Sequence, residues 1–265
     1  MMQTRVPVRY PFVNLAEQAT QLVLFVGDVG ILLAQALGFV FRGRWEARET
    51  ILQMALIGAQ AVPMVVITSG FTGAVLALYS AKLMIEFGVG SLAGGAVALA
   101  MARELGPVVT GVVVAARSAS AIAAEIGSMK VTEQVDALRA LAVPPVQYLV
   151  VPRLIACLTM LPVLGALAFV VGTFGGYAVA VPIGVSSTAY LLGVRELVDT
   201  YDVFAGLLKT VVFGAIIALV GCRAGLRTEG GAAGVGRATT NSVVVAVLLI
   251  YVANFFLAYL LFGGR

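Results

Sequence analysis

The sequence predicts an all-α integral membrane protein: an N-terminal interfacial helix, then five transmembrane helices, with a charged cytoplasmic helix between spans two and three. Two observations predict it. Of the 265 residues, 61% are hydrophobic and 11% charged, where a soluble domain carries about 25% charged residues. Mean hydropathy is +1.04, and a water-soluble fold cannot hide that much apolar surface. The second observation is the length of the uncharged runs, at 51–81, 154–194 and 242–262. Each is far longer than the roughly 10-residue alternating strand of a membrane barrel. Helices satisfy their own backbone hydrogen bonds in lipid and need roughly 20 apolar residues to cross it.

The elements follow in order. Residues 11–45 are apolar but carry Glu17, Asp28 and Arg42. A deep span would bury Asp28 at about 2.5–3.5 kcal/mol, so a helix lying in the interface is expected. It would end at Arg42-Gly43-Arg44-Trp45, a cluster suited to the headgroup level. The first span is 51–81, with Pro63, Gly70 and Gly73 inside it, and Lys82 and Glu86 mark an external connection. The second span, 87–116, is interrupted by Arg103-Glu104 and Gly106-Pro107. Glu125, Lys130, Glu133, Asp136 and Arg139 then alternate with Ile126, Met129, Val135 and Leu138 at spacings near three and four, which predicts one amphipathic helix. Pro144-Pro145 ends it. Residues 154–194 are too long for one straight span. Gly172, Gly175, Gly176 and Pro182 place a break, giving a third span over 154–181 and a surface helix near 186–199. The fourth span is 203–222, with Lys209 in its outer part. A glycine-rich polar loop is expected over 223–241, and the fifth span is 242–262.

Placing the 117–153 loop in the cytoplasm leaves only Lys82, Arg103, Arg195, Lys209 and Arg265, of 17 Lys and Arg, off that side. The positive-inside rule favours this orientation, with the N-terminus cytoplasmic and the C-terminus extracytoplasmic. The pI near 9.3 is read the same way, as topology and not as nucleic-acid binding. Residues 1–20 lack the charged start, compact apolar run and cleavage site of a secretory signal. The glycine pairs Gly90/Gly94, Gly172/Gly176 and Gly221/Gly225 let helix backbones approach closely in lipid.

Several chemistries are excluded. The chain has no histidine, which removes Ser-His and Cys-His nucleophiles and the commonest metal ligand. Cys157 and Cys222 lie in apolar segments and read as small core residues. No Gly-x-x-x-x-Gly-Lys occurs, so ATP-driven work would need a nucleotide site on another polypeptide. Two features carry chemistry. Arg103-Glu104 puts opposite charges inside a span, where ionisable groups pair or face a polar cavity. The pair reads either as a contact for a polar substrate group or as ion pairs that fix helix packing. Adjacent residues do not face each other on a helix, so the two should have different partners. The charged 125–139 helix reads either as a docking element or as a solvated loop helix.

Four stretches, in order along the chain, resemble the MlaE/YrbE permeases, the membrane subunits of ABC transporters associated with MCE proteins. They are Ala102-Arg103-Glu104-Leu105-Gly106-Pro107-Val108-Val109, the run 116–134 (Ala116-Arg117-Ser118 through Val131-Thr132-Glu133-Gln134), Val151-Pro152-Arg153, and Gly236-Arg237-Ala238-Thr239-Thr240. The resemblance implies a single five-span permease domain over 1–265 in the bacterial inner membrane. It implies a dimer, in the first instance a homodimer, on two cytoplasmic ATPase subunits that bind ATP and Mg, with an extracytoplasmic MCE ring and phospholipid or a related lipid as cargo. This chain would itself be no enzyme, hold no cofactor and bind no nucleic acid. The 125–141 helix resembles the coupling helix, with Lys130, Thr132, Glu133, Gln134, Asp136 and Arg139 facing the ATPase. Glu104 and Leu105 match the lipid cavity. Leu76, Leu78 and Tyr79 would extend its apolar wall, and Arg103 would meet the headgroup, since arginine grips phosphate with paired hydrogen bonds. The alternative is a stand-alone secondary transporter or channel. Such proteins are often built on internal repeats, and none is visible. An intramembrane enzyme and a passive scaffold are further alternatives, distinguished by turnover in the isolated chain and by indifference to cavity substitutions.

Overall fold

The structure, a computed structural model, describes residues 11–43 and 45–263. Arg5, Arg9, Arg44 and Arg265, used above for orientation, lie outside the described residues, as does the side chain of Glu17. Among the described residues every regular element is helical. The α-helices are α1 (Pro11–Phe41), α2 (Ala47–Ile57), α3 (Val62–Glu86), α4 (Ala93–Ala100), α5 (Gly106–Val114), α6 (Ser120–Val131), α7 (Gln134–Ala140), α8 (Val151–Ile183), α9 (Ser187–Leu197), α10 (Thr200–Leu226) and α11 (Gly231–Phe262). Single π-turns at Met101–Leu105 and Ala115–Ala119 join α4, α5 and α6 into one long rod, and a third at Val146–Val150 leads into α8.

Among the described residues, six stretches are long and apolar enough to cross a membrane: Val23–Phe41, Ala47–Glu86, Gly90–Val131, Val146–Ile183, Thr200–Leu226 and Gly231–Phe262. The last five overlap the five expected spans, the second starting at Gly90 and not at 87; the first, Val23–Phe41, lies within the helix expected at the interface and qualifies by length and composition alone. Asp28 of α1 is not alone: Arg223 and Arg227, near the end of α10, both reach its carboxylate, at 2.9 and 2.7 Å. A paired carboxylate is much cheaper in an apolar setting than a lone one.

Three local expectations differ from the structure. The second apolar rod does not stop at 116 but continues to Val131, because the π-turn at Ala115–Ala119 absorbs Arg117 without breaking the helix. Arg117 leaves the rod sideways, donating to the Leu56 carbonyl at 2.8 Å and to Gln60 Oε1. The single helix over 125–141 is two pieces. Glu133 adopts φ +62 and separates α6 from α7, and Ala142, at φ +57, closes α7 before the two prolines. Both conformations cost a residue with a Cβ of order 1–2 kcal/mol. The loop over 223–241 is short, because α11 starts at Gly231; glycine there marks a helix start through positive φ at Gly230 and Gly231, and not a long flexible segment.

In lipid, apolar contact alone does not drive helices together, so close approach and polar contacts hold the bundle. α8 lies at the centre, with Leu154, Leu161 and Leu164 packed against Phe213 and Ile217 of α10 in the larger core cluster. Its crossing with α3 is backbone on backbone: a Cβ added at Gly73 would sit 1.8 Å from the Gly172 carbonyl oxygen. Large apolar side chains face outward on α3 and α11, including Ile67, Phe71, Phe255, Phe256 and Leu260.

Candidate functional site

The site is built from the π-turn at Met101–Leu105. Pro107 has no N–H to return to the Arg103 carbonyl four residues earlier. That carbonyl instead accepts a hydrogen bond from Lys209 Nζ of α10 at 2.9 Å. α10 reaches this position because Gly206 lies against the rod: a Cβ there would stand 2.0 Å from the Ala102 carbonyl oxygen. A missing donor in the rod and a missing side chain on α10 together seat a buried lysine on a membrane helix.

Two ion pairs then form from the adjacent Arg103 and Glu104, which point to different partners. Arg103 Nη2 lies 2.8 Å from Asp202 Oδ1, and its Nε donates to the same oxygen at 2.9 Å. Asp202 has a second duty, since its Oδ2 accepts the Asp199 backbone N–H at 3.0 Å in the capping box that starts α10. Lys209 Nζ lies 2.6 Å from Glu104 Oε1. Asn254 Nδ2 of α11 donates to Glu104 Oε2 at 2.8 Å. The Phe262 ring covers the cationic half, 4.8 Å from the Arg103 guanidinium and 5.1 Å from the Lys209 ammonium. The cluster is neutral in sum. Lys209 and Asp202 are buried, while the Arg103 side chain stays 29% exposed and Glu104 39%. Asn254 Oδ1 is buried beside Glu104 without a partner among the described residues. The arrangement offers an exposed guanidinium edge, a carboxylate and an unfilled amide acceptor within an otherwise apolar bundle.

The apolar residues assigned to this site divide. Leu76 and Leu105 pack on the smaller core cluster, with Ala77, Met101 and Tyr190. Leu78 is half-buried on the adjoining part of α3. Tyr79 points away, 72% exposed on the outer face of α3. Sequence reasoning did not assign Asp202, Asn254 and Phe262 to the site, and it placed Lys209 in a span without a partner. A signal was present: Asp202 and Lys209 are seven apart on one helix, hence on one face, and carry the charges complementary to Arg103 and Glu104.

The second assigned surface lies at the α6–α7 break. Thr132, Glu133, Gln134, Asp136 and Arg139 are exposed, and Val135 is the buried anchor beneath them. Asp136 sits between Lys130 and Arg139, each at 2.8 Å. The hydrogen bond from Lys130 holds its carboxyl below the usual carboxylate range. Gln134 Nε2 donates to Thr132 Oγ1 at 3.0 Å, which fixes the turn. Leu141 projects beside these residues, 74% exposed. Glu125, grouped with them in the sequence, is engaged elsewhere: it pairs with the buried Arg153 at 2.8 Å and ties α6 to α8.

A bundle of this kind, helical, with several stretches long and apolar enough to cross a membrane and charges paired across its interior, is that of a multi-pass membrane protein. The family described as Permease MlaE matches residues 50–260. The chain belongs to that family and is an ABC transporter permease. It is 45% identical over 234 residues to a probable ABC transporter permease protein of Synechocystis sp., covering 88% of this chain and 89% of the relative. A probable ABC transporter permease protein of Rickettsia typhi is 44% identical over 79% of this chain and 82% of its own length. The chloroplastic protein trigalactosyldiacylglycerol 1 of Arabidopsis thaliana is 35% identical over 89% of this chain and 68% of its own.

Proposed function

We propose that this permease moves phospholipid or a related lipid between the bacterial inner membrane and an extracytoplasmic MCE protein. The observation that carries the reading is the Arg103–Glu104 cluster, charged groups held in an apolar bundle with one guanidinium edge and one amide oxygen left over. A lipid makes two demands, apolar walls for its chains and a polar contact for its headgroup. Leu76, Leu78 and Leu105 serve the first and Arg103 the second, by paired hydrogen bonds to phosphate. Glu104 and Lys209 position the turn that presents Arg103. Tyr79, exposed on α3, belongs to the wall only if a second permease protomer completes the cavity. The name of the Arabidopsis relative, that of a glycerolipid, supports the lipid class.

ATP and Mg bind a separate ATPase subunit, two per permease dimer, and the α6–α7 surface is its docking face. Thr132, Glu133, Gln134, Asp136 and Arg139 present a short rigid turn of mixed charge, with Lys130 holding Asp136 in place. Rim charges of this kind set orientation more than affinity. The same orientation puts the N-terminus in the cytoplasm and the C-terminus outside. The test is gentle solubilisation of the tagged chain from its native membrane, with mass spectrometry of what stays bound. A second permease copy, an ATPase, an MCE protein and phospholipid are expected. A lone chain without ATPase under several mild detergents would contradict the reading and favour a stand-alone transporter.

A further inference from the structure

Fourteen residues beyond Lys209, about 21 Å along α10 at 1.5 Å per residue, a second polar site opens between α1, α10 and α11. A hollow of about 420 Å³ has apolar walls from Phe25 of α1, Val220 of α10 and Val245 of α11, and Arg223 and Arg227 at its end. It shares Arg223, Arg227 and Asn241 with an adjoining hollow of about 310 Å³ that also takes in Arg237 and Glu229. The two form one trough, apolar along one part and basic at the other.

The simplest account of the arginines is that they clamp Asp28, and two of them do. It leaves much of the site unexplained. Arg227 remains 57% exposed with donors to spare. Arg237 lies against Gly230 and has no ion pair or hydrogen bond among the described residues. The Arg223 guanidinium lies over the Phe25 ring, 4.5 Å from its centre, at the junction of the basic and apolar parts. Even with the Glu229 carboxylate on the rim, the arginines outnumber the acids. Basic pockets between membrane helices on the cytoplasmic side take anionic headgroups, and arginine matches phosphate with paired donors.

We propose that this trough binds an anionic phospholipid, its phosphate against Arg227 and Arg237 and one acyl chain along Phe25, Val220 and Val245. The site is separate from the Arg103 cluster and does not depend on what the transporter carries. Its lipid pins α1 to α10 and α11 beside the Asp28 ion pair.

The chain has one tryptophan, so Trp45→Phe combined with Leu24→Trp puts a sole reporter at the mouth of the trough. The 265-residue chain is reconstituted in phosphatidylcholine vesicles doped with brominated phosphatidylglycerol or, at equal fraction, brominated phosphatidylcholine. Stronger quenching by the phosphatidylglycerol is expected, an enrichment of roughly fivefold per arginine engaged. Arg237→Gln alone, at an exposed residue without an ion pair, should lower that preference, and with Arg227→Gln it should fall near one. Millimolar inorganic phosphate should leave it unchanged. Equal quenching by the two lipids, or a preference that survives both arginine changes, would overturn the proposal. So would loss of the preference in inorganic phosphate, which would make a free anion the ligand, or no quenching by either lipid, which would mean that protein covers the trough.

Discussion

The molecule carries two charged clusters made from the same residue types in opposite surroundings. Around Arg103 and Glu104, acids and bases pair inside an apolar bundle, with Lys209 and Asp202 out of solvent. Around Asp136, the pairs to Lys130 and Arg139 stand in the open on a short helix. Geometry is nearly the same, with N···O distances of 2.8 and 2.6 Å in the first cluster and 2.8 Å for both pairs in the second. The energetics differ. Breaking a buried pair leaves a charge with no substitute partner and costs about 3–5 kcal/mol, whereas an exposed pair contributes about 0–1 kcal/mol. The buried cluster therefore decides whether α10, α11 and the π-turn hold together, and the exposed one contributes little to that.

The largest effect that would break this contrast comes from Lys209→Met. It strands Glu104 with only Asn254 and frees the Arg103 carbonyl. A loss of about 3 kcal/mol is expected, at the low end of the range because Glu104 is partly exposed. Thermal unfolding in detergent reads it, and adding Glu104→Gln should restore most of the loss; no recovery would show that the lysine acts through something other than this pair. Asp202→Asn is expected to cost less, about 1.5–3 kcal/mol, since it removes the charge opposite Arg103 and keeps an acceptor for the Asp199 N–H. The smallest effect belongs to the exposed cluster. The Asp136 carboxyl is depressed, so its pairing is present above the usual carboxylate range and is lost only as pH falls through the lowered value. Between about pH 8 and pH 5 the pairing should stay constant, and ATPase docking with it. A fall in docking across that window that Asp136→Asn abolishes would sink the assignment.

How much of this was legible in the sequence differs between the clusters for a physical reason. Spans are written in long apolar runs, so five of the apolar stretches are readable from length and composition even where a charge such as Arg103 or Lys209 interrupts them. The different partners of Arg103 and Glu104 follow from helix geometry. Their identity does not, because Asp202 and Lys209 lie about a hundred residues away and meet the π-turn only where Gly206 admits α10. The α6–α7 break was invisible for a related reason. Glutamate at Glu133 carries no preference for positive φ, and the hydrophobic periodicity runs straight through it. Asp28 shows the same limit: its two arginine partners lie almost 200 residues later, so the sequence presents a lone acid where the fold holds an ion pair.

The central claim is that the buried cluster serves the lipid and the exposed cluster serves the ATPase. One preparation tests both: Arg103→Ala and Glu133→Lys, each gently solubilised from native membrane beside the unaltered chain, with bound phospholipid and bound ATPase quantified together. Arg103→Ala should lose lipid and keep the ATPase, and Glu133→Lys should do the reverse. Two variants that lose both partners alike, or that both match the unaltered chain, would contradict the division.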